Sequence, residues 1–270
     1  MPTLNEITKE IERLYPPSLA ESWDKVGQIL GSGSQNVNRI LVAVDIAPEV
    51  AKEAVDGDYD LLITHHPLFL RGTSFLSEDE PKGQIVASLI RAGCALFNAH
   101  TNADSAHDGV ADALADLVGI KNARPLLPRE DGRGGAGRIG EIEPQTLEAF
   151  AKKVASVLPA GPTGLFVGGD LDRVIKVVAV SGGSGDSFLA DANGAGADVF
   201  LTADLRHHPA IEHLDKKQAA LLCGSHWATE WPWLPRLAAN LRAAFPDVTV
   251  DVSKICTEPW KTILKTEGQI

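Results

Sequence analysis

The stretch Asp60-Leu61-Leu62-Ile63-Thr64-His65-His66-Pro67 decides how the rest of the chain is interpreted. An apolar run of strand length ends in two adjacent histidines, and the following proline stops the strand. Neighbouring strand residues point to opposite faces, so adjacent imidazoles do not ordinarily bind one ion together. At a strand end, where the backbone turns, they can splay toward two ions. The stretch therefore predicts a pair of metal ligands; the alternative is one hydrogen-bonded core histidine and one surface histidine.

The surrounding segments predict an α/β fold. Arg39–Val44 is a predicted buried strand, the segment from Asp45 to Val55 a short helix, and 60–64 the next strand, an order typical of a parallel sheet. The next apolar strand, Cys94–Phe97, runs into Asn98–Asp104, so a second strand also ends in potential ligands.

The second half of the chain repeats this pattern. Three of its segments parallel three of the first half: Arg173–Val180 parallels Arg39–Val44, Asp198–Thr202 parallels Asp60–Thr64 with His207 and His208 following, and Ala220–His226 parallels Cys94–His100. We therefore expect two pseudo-symmetric α/β lobes with mainly parallel sheets and a dinuclear metal site between them. The lobes are placed at residues 1–130 and 131–270, intimately packed or forming one domain.

Two glycine-rich segments are weaker features. Residues 132–140 match neither a P-loop nor a dinucleotide-binding motif, and they predict a flexible connection. Residues 182–186 follow a strand and are more simply a turn than an anion site.

Composition excludes several classes of protein. Of 270 residues, 44% are hydrophobic, which is enough for a substantial core, and the net charge of −11 argues against a surface that coats nucleic acid. The three cysteines, Cys94, Cys223 and Cys256, form no C-x-x-C pair and indicate buried thiols in a reducing compartment. No signal peptide and no apolar run near ~20 residues is evident. We expect a cytoplasmic protein with no membrane contact.

Candidate ligands collect at the predicted strand ends: His65, His66, His100, Asp104, His226 and Glu230. His226 and Glu230 are four residues apart, which on a helical turn puts both side chains on one face. A carboxylate beside imidazoles suits Zn, Mn, Fe or Co rather than Ca, and a shared carboxylate is the usual bridge in two-metal sites.

These motifs resemble the family of dinuclear-metal-centre proteins called GTP cyclohydrolase 1 type 2 homologues, or the Ngg-interacting-factor-three-like family. The combination of His-His-Pro, His-Thr-Asn-x-Asp and His-x-x-x-Glu is highly specific and extends over most of the chain. The resemblance rests on these segments: Ser22–Gly27, Thr64–Pro67, Ala99–Asp104 with Gly109-Val110, Thr202–His208, and Gly224–His226 through Thr229-Glu230.

The resemblance implies a ligand set and an assembly. The implied ligands of two divalent ions are His65, His66, Asp104, His226 and Glu230, with Glu230 bridging. His100 would be a supporting or structural residue, and it is also a possible catalytic residue. Family members form toroidal homohexamers, and about 270 residues is the compact form, without the inserted domain of longer members.

The resemblance also contains one departure. Ala203-Asp204 stands where the family usually has Gly-Glu, a difference expected not to touch the ligands.

The leading functional hypothesis is a metal-dependent hydrolase, GTP cyclohydrolase-like or a phosphoesterase, acting on a nucleotide or related small substrate. Two ions would activate a water and polarise the substrate, while His100, Thr101 or Asn102 would orient the substrate or shuttle a proton. The alternative is a non-catalytic, metal-stabilised scaffold or regulatory interaction protein. DNA binding is disfavoured by the negative charge.

Overall fold

A computed structural model describes residues 1–264, and these form a mixed α/β protein with two sheets. This confirms the predicted α/β class. The helices are α1 (Leu4–Leu14), α2 (Pro48–Asp56), α3 (Pro81–Ala92), α4 (Thr101–Ser105), α5 (Val110–Val118), α6 (Leu147–Val157), α7 (Leu189–Gly194), α8 (His207–Asp215), α9 (His226–Glu230) and α10 (Trp233–Ala244). The strands are β1 (Gly27–Leu30), β2 (Arg39–Ala43), β3 (Leu61–Thr64), β4 (Ala95–Asn98), β5 (Lys121–Pro128), β6 (Gly135–Thr146), β7 (Phe166–Gly168), β8 (Val174–Ser184), β9 (Val199–Ala203), β10 (Ala220–Gly224) and β11 (Thr249–Val252).

The chain forms two compact units that are discontinuous in sequence. Among the described residues, the first contains residues 1–113, 128–136 and 231–257, and the second contains residues 114–127, 137–230 and 258–264. The predicted division at residue 130 stays a prediction. Among the described residues, no helix has both the length and the apolar character needed to span a membrane.

The sheet of the first unit has the order β1-β4-β3-β2-β11. Strands β4, β3, β2 and β11 are parallel, and β1 joins the edge antiparallel to β4. Helices α2 and α3 bury their apolar faces on this sheet, in a core that includes Val50, Leu62, Leu89 and Leu96. Because the strands are parallel, the carboxyl ends of β2, β3 and β4 meet at one edge.

The sheet of the second unit has the order β5-β6-β8-β9-β10-β7. Its central strands β8, β9 and β10 are parallel, whereas β6 pairs antiparallel to β8 and β7 pairs antiparallel to β10. Leu147, Phe150 and Val154 of α6 pack on one face with Val178 and Leu201. The first sheet is therefore mainly parallel, as predicted, while the second is mixed.

The predicted repeat appears as a shared hydrogen-bond arrangement in the two sheets. Oδ2 of Asp60 accepts hydrogen bonds from the backbone N–H groups of Asn38 and Arg39, at 2.7 and 3.0 Å. Oδ2 of Asp198 accepts from those of Lys176 and Val177, at 2.8 Å each. Asp60 immediately precedes β3 and Asp198 immediately precedes β9. Each aspartate hydrogen-bonds to backbone N–H groups near the start of the neighbouring parallel strand, β2 or β8.

The strand register corrects two details of the repeat. Leu61 is opposite Ala95 and Val199 is opposite Ala220, so His100 is equivalent to Ser225 and not to His226. Ala203 and Asp204 follow Val199 by four and five residues, as His65 and His66 follow Leu61, so they take the positions equivalent to this histidine pair. The exposed His207 and His208 begin α8 instead, with ring centroids 5.2 Å apart.

The glycine-rich segment 132–140 was predicted to be a flexible connection, but its second part begins β6. Arg138 is opposite Val180 of β8, and its side chain is only 1% exposed. The prediction was wrong because glycine-rich sequence is typical of loops, whereas the backbone here is fixed by pairing with a neighbouring strand.

Candidate metal centre

Three histidines of the first unit come together at the carboxyl edge of its sheet. His65 and His66 directly follow β3, and His100 follows β4, the adjacent parallel strand. One ring nitrogen from each lies within 4.8 Å of the others, a spacing that could hold a metal ion. The strand order produces this cluster, because neighbouring parallel strands deliver their next residues to the same place.

Each imidazole of the His65-His66 pair is oriented through its Nδ1 atom. Nδ1 of His65 donates to the carbonyl oxygen of Ala99 at 2.9 Å, and Nδ1 of His66 lies 2.7 Å from Oδ1 of Asp45. Such contacts fix the tautomer that presents Nε2 to a metal. On the Nε2 side of His65, Oδ1 of Asp104 lies 3.6 Å away. The two predicted ligands are therefore positioned as metal-binding histidines usually are.

His100 has a carboxylate partner of its own. Its Nδ1 lies 3.1 Å from Oδ2 of Asp24, and that buried carboxylate also accepts hydrogen bonds from the N–H and hydroxyl of Thr101. The indole of Trp23 contacts the imidazole edge-on, with centroids 6.0 Å apart. Burial, together with the nearby His65, lowers the pKa of His100 to about 4, against the opposing effect of Asp24. The ring is therefore neutral at pH 7.

The second unit carries the other predicted ligands on the single turn of α9. Nε2 of His226 lies 2.9 Å from Oε1 of Glu230, which confirms that their spacing of four places them on one face. Nδ1 of His226 lies 2.6 Å from Oδ2 of Asp204, the residue that follows β9. Asp204 therefore contacts a predicted ligand directly, and the expectation that the Ala203-Asp204 departure leaves the ligands untouched is wrong.

These two carboxylates set the charge of His226. Burial lowers the pKa of its imidazole, but the charge of Glu230 and the hydrogen bond to Asp204 outweigh burial and raise the pKa to about 11. Without an ion, the ring is a cation clamped between two anions. The same anionic pair is suited to a divalent cation, because imidazole and carboxylate together are ligands of Zn, Mn, Fe and Co.

Gly183 has no side chain, and His226 and Glu230 occupy the space that a side chain would need. A Cβ on this residue would collide with Oε1 of Glu230 and lie 2.9 Å from Nε2 of His226, and its φ of +64° also favours glycine. Its N–H donates to the hydroxyl of Thr229 at 3.0 Å, and its carbonyl accepts from that of Thr202 at 3.0 Å. The backbone is thus held against the two ligands from both sides.

Sequence reasoning missed three supporting residues: Asp45, Gly183 and Asp204. Asp45 and Asp204 each follow a buried strand by one or two residues, a position that could have marked them as residues of the same sheet edge. The donor set fits one or more divalent transition-metal ions, since each predicted histidine ligand has its Nδ1 atom held by an oxygen.

Comparison with known proteins identifies the family. The sequence pattern of Duf34/NIF3 (NGG1p interacting factor 3) matches residues 2–259. The chain belongs to the NIF3 family. A Streptomyces coelicolor relative named GTP cyclohydrolase 1 type 2 homolog is 46% identical over 268 residues, covering 96% of this chain and 94% of that protein. The predicted family is confirmed.

Other NIF3-family proteins show the range of lengths and the shared fold. The Mycobacterium tuberculosis relative of the same name is 32% identical over 366 aligned positions, covering 95% of this chain and 96% of its own, so it is longer than this compact form. A crystal structure of a Staphylococcus aureus hypothetical protein, 27% identical, superposes with a TM-score of 0.89, covering 97% of this chain and 100% of that chain. A Bacillus cereus protein related to NIF3, 23% identical, has the same fold, with a TM-score of 0.91 over 97% of this chain and 99% of that chain.

Proposed function

We propose that this NIF3-family protein is a dinuclear metal-dependent hydrolase that acts on a nucleotide or a related small substrate. Its proposed ligands are His65, His66 and Asp104 from the first unit and His226 and Glu230 from the second, with Glu230 as the bridging carboxylate. Two divalent ions of Zn, Mn, Fe or Co would supply activation of a water and polarisation of the substrate.

One observation carries the proposal: every proposed histidine ligand is held at Nδ1 by an oxygen. The partners are the Ala99 carbonyl for His65, Asp45 for His66 and Asp204 for His226. A single histidine held in this way is compatible with a structural role. Three histidines that share the arrangement at the carboxyl ends of parallel strands indicate prepared metal ligands.

His100 is the residue best placed to move a proton. Its ring centroid lies 5.2 Å from that of His65 and 5.4 Å from that of His66, and Asp24 holds its Nδ1 side. A neutral imidazole can accept a proton at its other nitrogen, while the carboxylate stabilises the charge that develops. We propose His100 as the proton-transfer group of the hydrolase.

The metal content of the purified protein tests the ligand set. We expect about two Zn²⁺ per chain after loading and dialysis, measured by mass spectrometry, with fewer in His65→Ala and in Glu230→Gln. His208→Ala, an exposed histidine outside the proposed set, is the matched control and should keep both ions. One ion or none in the parent protein under metal-replete conditions would overturn the two-metal proposal.

Turnover separates the hydrolase from a metal-stabilised scaffold. The hydrolase reading predicts release of product from some member of a panel of nucleotides and phosphoesters, lost on chelation and restored by metal. It also predicts that Glu230→Gln abolishes turnover while the protein stays folded. A scaffold would show no turnover with any member of the panel, and Glu230→Gln would chiefly lower the melting temperature.

We also propose a homohexamer, on the strength of the family resemblance. Light scattering coupled to size-exclusion chromatography should then give six times the chain mass of 28.7 kDa. A monomer or dimer at micromolar concentration would contradict this assembly without affecting the ligand set.

A further inference from the structure

The second unit contains a cavity that opens beside His226. Its volume is about 380 Å³, within the range of about 300–1,000 Å³ usual for small-molecule sites. Asp204 and His226 form part of its wall, so a molecule in the cavity would lie next to a proposed metal ligand. The cavity is therefore a candidate for holding the part of the substrate that does not react.

The walls are mostly apolar and include two aromatic rings. Leu205, Leu214 and Leu221 line the cavity together with Phe166 of β7 and Trp260. Phe166 and Trp260 are each 66% exposed, and both lie at the wall of the same cavity. Exposed aromatic rings at the wall of a cavity are suited to contact a flat ring of a ligand.

A buried carboxylate supplies the polar feature. Glu258 is 5% exposed, and its Oε2 accepts a short hydrogen bond from the hydroxyl of Ser225. Ser225 is fully engaged, because its Oγ also accepts from the N–H of Ala228 at 3.2 Å. Within residues 1–264, no hydrogen bond to Oε1 of Glu258 is found. This oxygen is therefore available at the cavity wall to accept a hydrogen bond from a donor of the ligand.

The remaining polar atoms narrow the class of ligand. No lysine or arginine is found among the described residues that line the cavity, whereas Glu258 and Asp204 both carry carboxylates. Next to Glu258, a phosphate would therefore be repelled, and a group with N–H donors would be attracted.

We propose that this cavity binds a flat heteroaromatic ring with N–H donors along one edge, a nucleobase or a ring of the same kind. Glu258 accepts from the N–H edge, the aromatic walls contact the ring faces, and any phosphate lies outside. The role of this ring as the non-reacting part of a substrate rests on the proposed hydrolase; the binding itself does not.

Calorimetric titration of the metal-loaded protein with guanosine tests the binding. We expect saturable binding that is about ten- to a hundredfold weaker in Glu258→Gln, because a hydrogen bond to a charged acceptor is lost. Glu212→Gln makes the same change on the exposed side of α8 and should bind as the parent does. Ala210→Phe places a ring in the cavity and should abolish binding.

A second ligand tests the chemistry of recognition. In 1-methylguanosine, a methyl group replaces the N1–H, so it should bind the parent protein more weakly than guanosine, and this preference should disappear in Glu258→Gln. No saturable guanosine heat in the parent, or binding that neither Glu258→Gln nor Ala210→Phe weakens, would overturn the proposal. Metal content measured on the same samples keeps the two proposals separate, because loss of the ions with retained guanosine binding would count against the hydrolase alone.

Discussion

Nε2 of His226 lies 2.9 Å from Oε1 of Glu230, while Oδ2 of Asp204 holds the opposite nitrogen of the same ring at 2.6 Å. The imidazole is therefore clamped between two carboxylates before an ion binds. Such a ring need not rotate to become a ligand; it needs only to lose a proton. The chemistry of loading is therefore predicted to be an exchange of a proton for a metal ion.

Proton release on metal binding tests this exchange. Because the neighbouring carboxylates raise the pKa of His226 to about 11, Zn²⁺ added to the metal-free protein at pH 7 should displace about one proton from this ring. A pH indicator in weakly buffered solution measures the release. Glu230→Gln removes one carboxylate and should release less. Release that does not differ between the two proteins would contradict the raised pKa.

The same pKa has a signed effect on the stability of the metal-free protein. A histidine pKa raised from about 6.5 to about 11 by folding stabilises the protein fully below pH 6.5. This contribution is lost as the pH rises toward 11. Metal affinity changes in the opposite direction and strengthens as the pH rises, since fewer protons compete. Denaturation with and without Zn²⁺ at several pH values should show these opposite slopes.

Removal of the supporting carboxylates should weaken metal binding in both units. Asp45→Ala and Asp204→Ala each free the Nδ1 side of a proposed ligand, and each should lower affinity for an ion by about ten- to a hundredfold. Competition with a fluorescent chelator measures the change. The exposed Asp172→Ala is the matched control and should leave affinity unaltered. Equal affinities in all four proteins would show that these contacts do not prepare the ligands.

Gly183→Ala should lower both metal occupancy and stability, whereas replacing a glycine elsewhere should lower stability alone. Its Cβ would collide with Glu230, and the positive φ adds a cost of about 1–2 kcal/mol. Gly196→Ala is the matched control, because that glycine has a φ of +80° but nothing within 4 Å of the added carbon. Both variants should lose stability in denaturant titrations, but only Gly183→Ala should lose metal. Full metal occupancy in Gly183→Ala would contradict the close approach.

The two equivalent aspartates should contribute similarly to stability. Asp60→Ala and Asp198→Ala each remove a carboxylate that accepts two backbone hydrogen bonds, so each should cost about 2 kcal/mol in the free energy of unfolding. Urea denaturation compares both with Asp172→Ala, for which a change below about 0.5 kcal/mol is expected. A large cost for one aspartate and none for the other would show that the repeat is not energetically equivalent.

Much of the fold could be predicted because apolar runs mark the buried strands. The run at 61–64 became β3 within a residue of the prediction, and the histidines after it met a third from the adjacent strand. Strand β6 was missed because its glycines imitate a loop, and only pairing with β8 shows otherwise. Local sequence does not contain such long-range pairing.

The predicted ligands were easier to find than the residues that support them. Adjacent histidines and a spacing of four are visible in the sequence, whereas the roles of Asp45, Asp204 and Gly183 arise from strand order. Asp204 and His226 are 22 residues apart, and they meet because β9 and β10 are neighbours. The sequence therefore predicted the ligands but not the contacts that depend on which strands are neighbours.

The register equivalence of the two sheets has an evolutionary consequence. Equivalent positions hold His65-His66 in the first repeat and Ala203-Asp204 in the second, and His100 in one corresponds to Ser225 in the other. A chain made of two identical copies of either repeat would duplicate one set of donors and omit the other. If the halves descend from one duplicated ancestor, each copy specialised after the duplication. Neither half can then replace the donors that the other supplies.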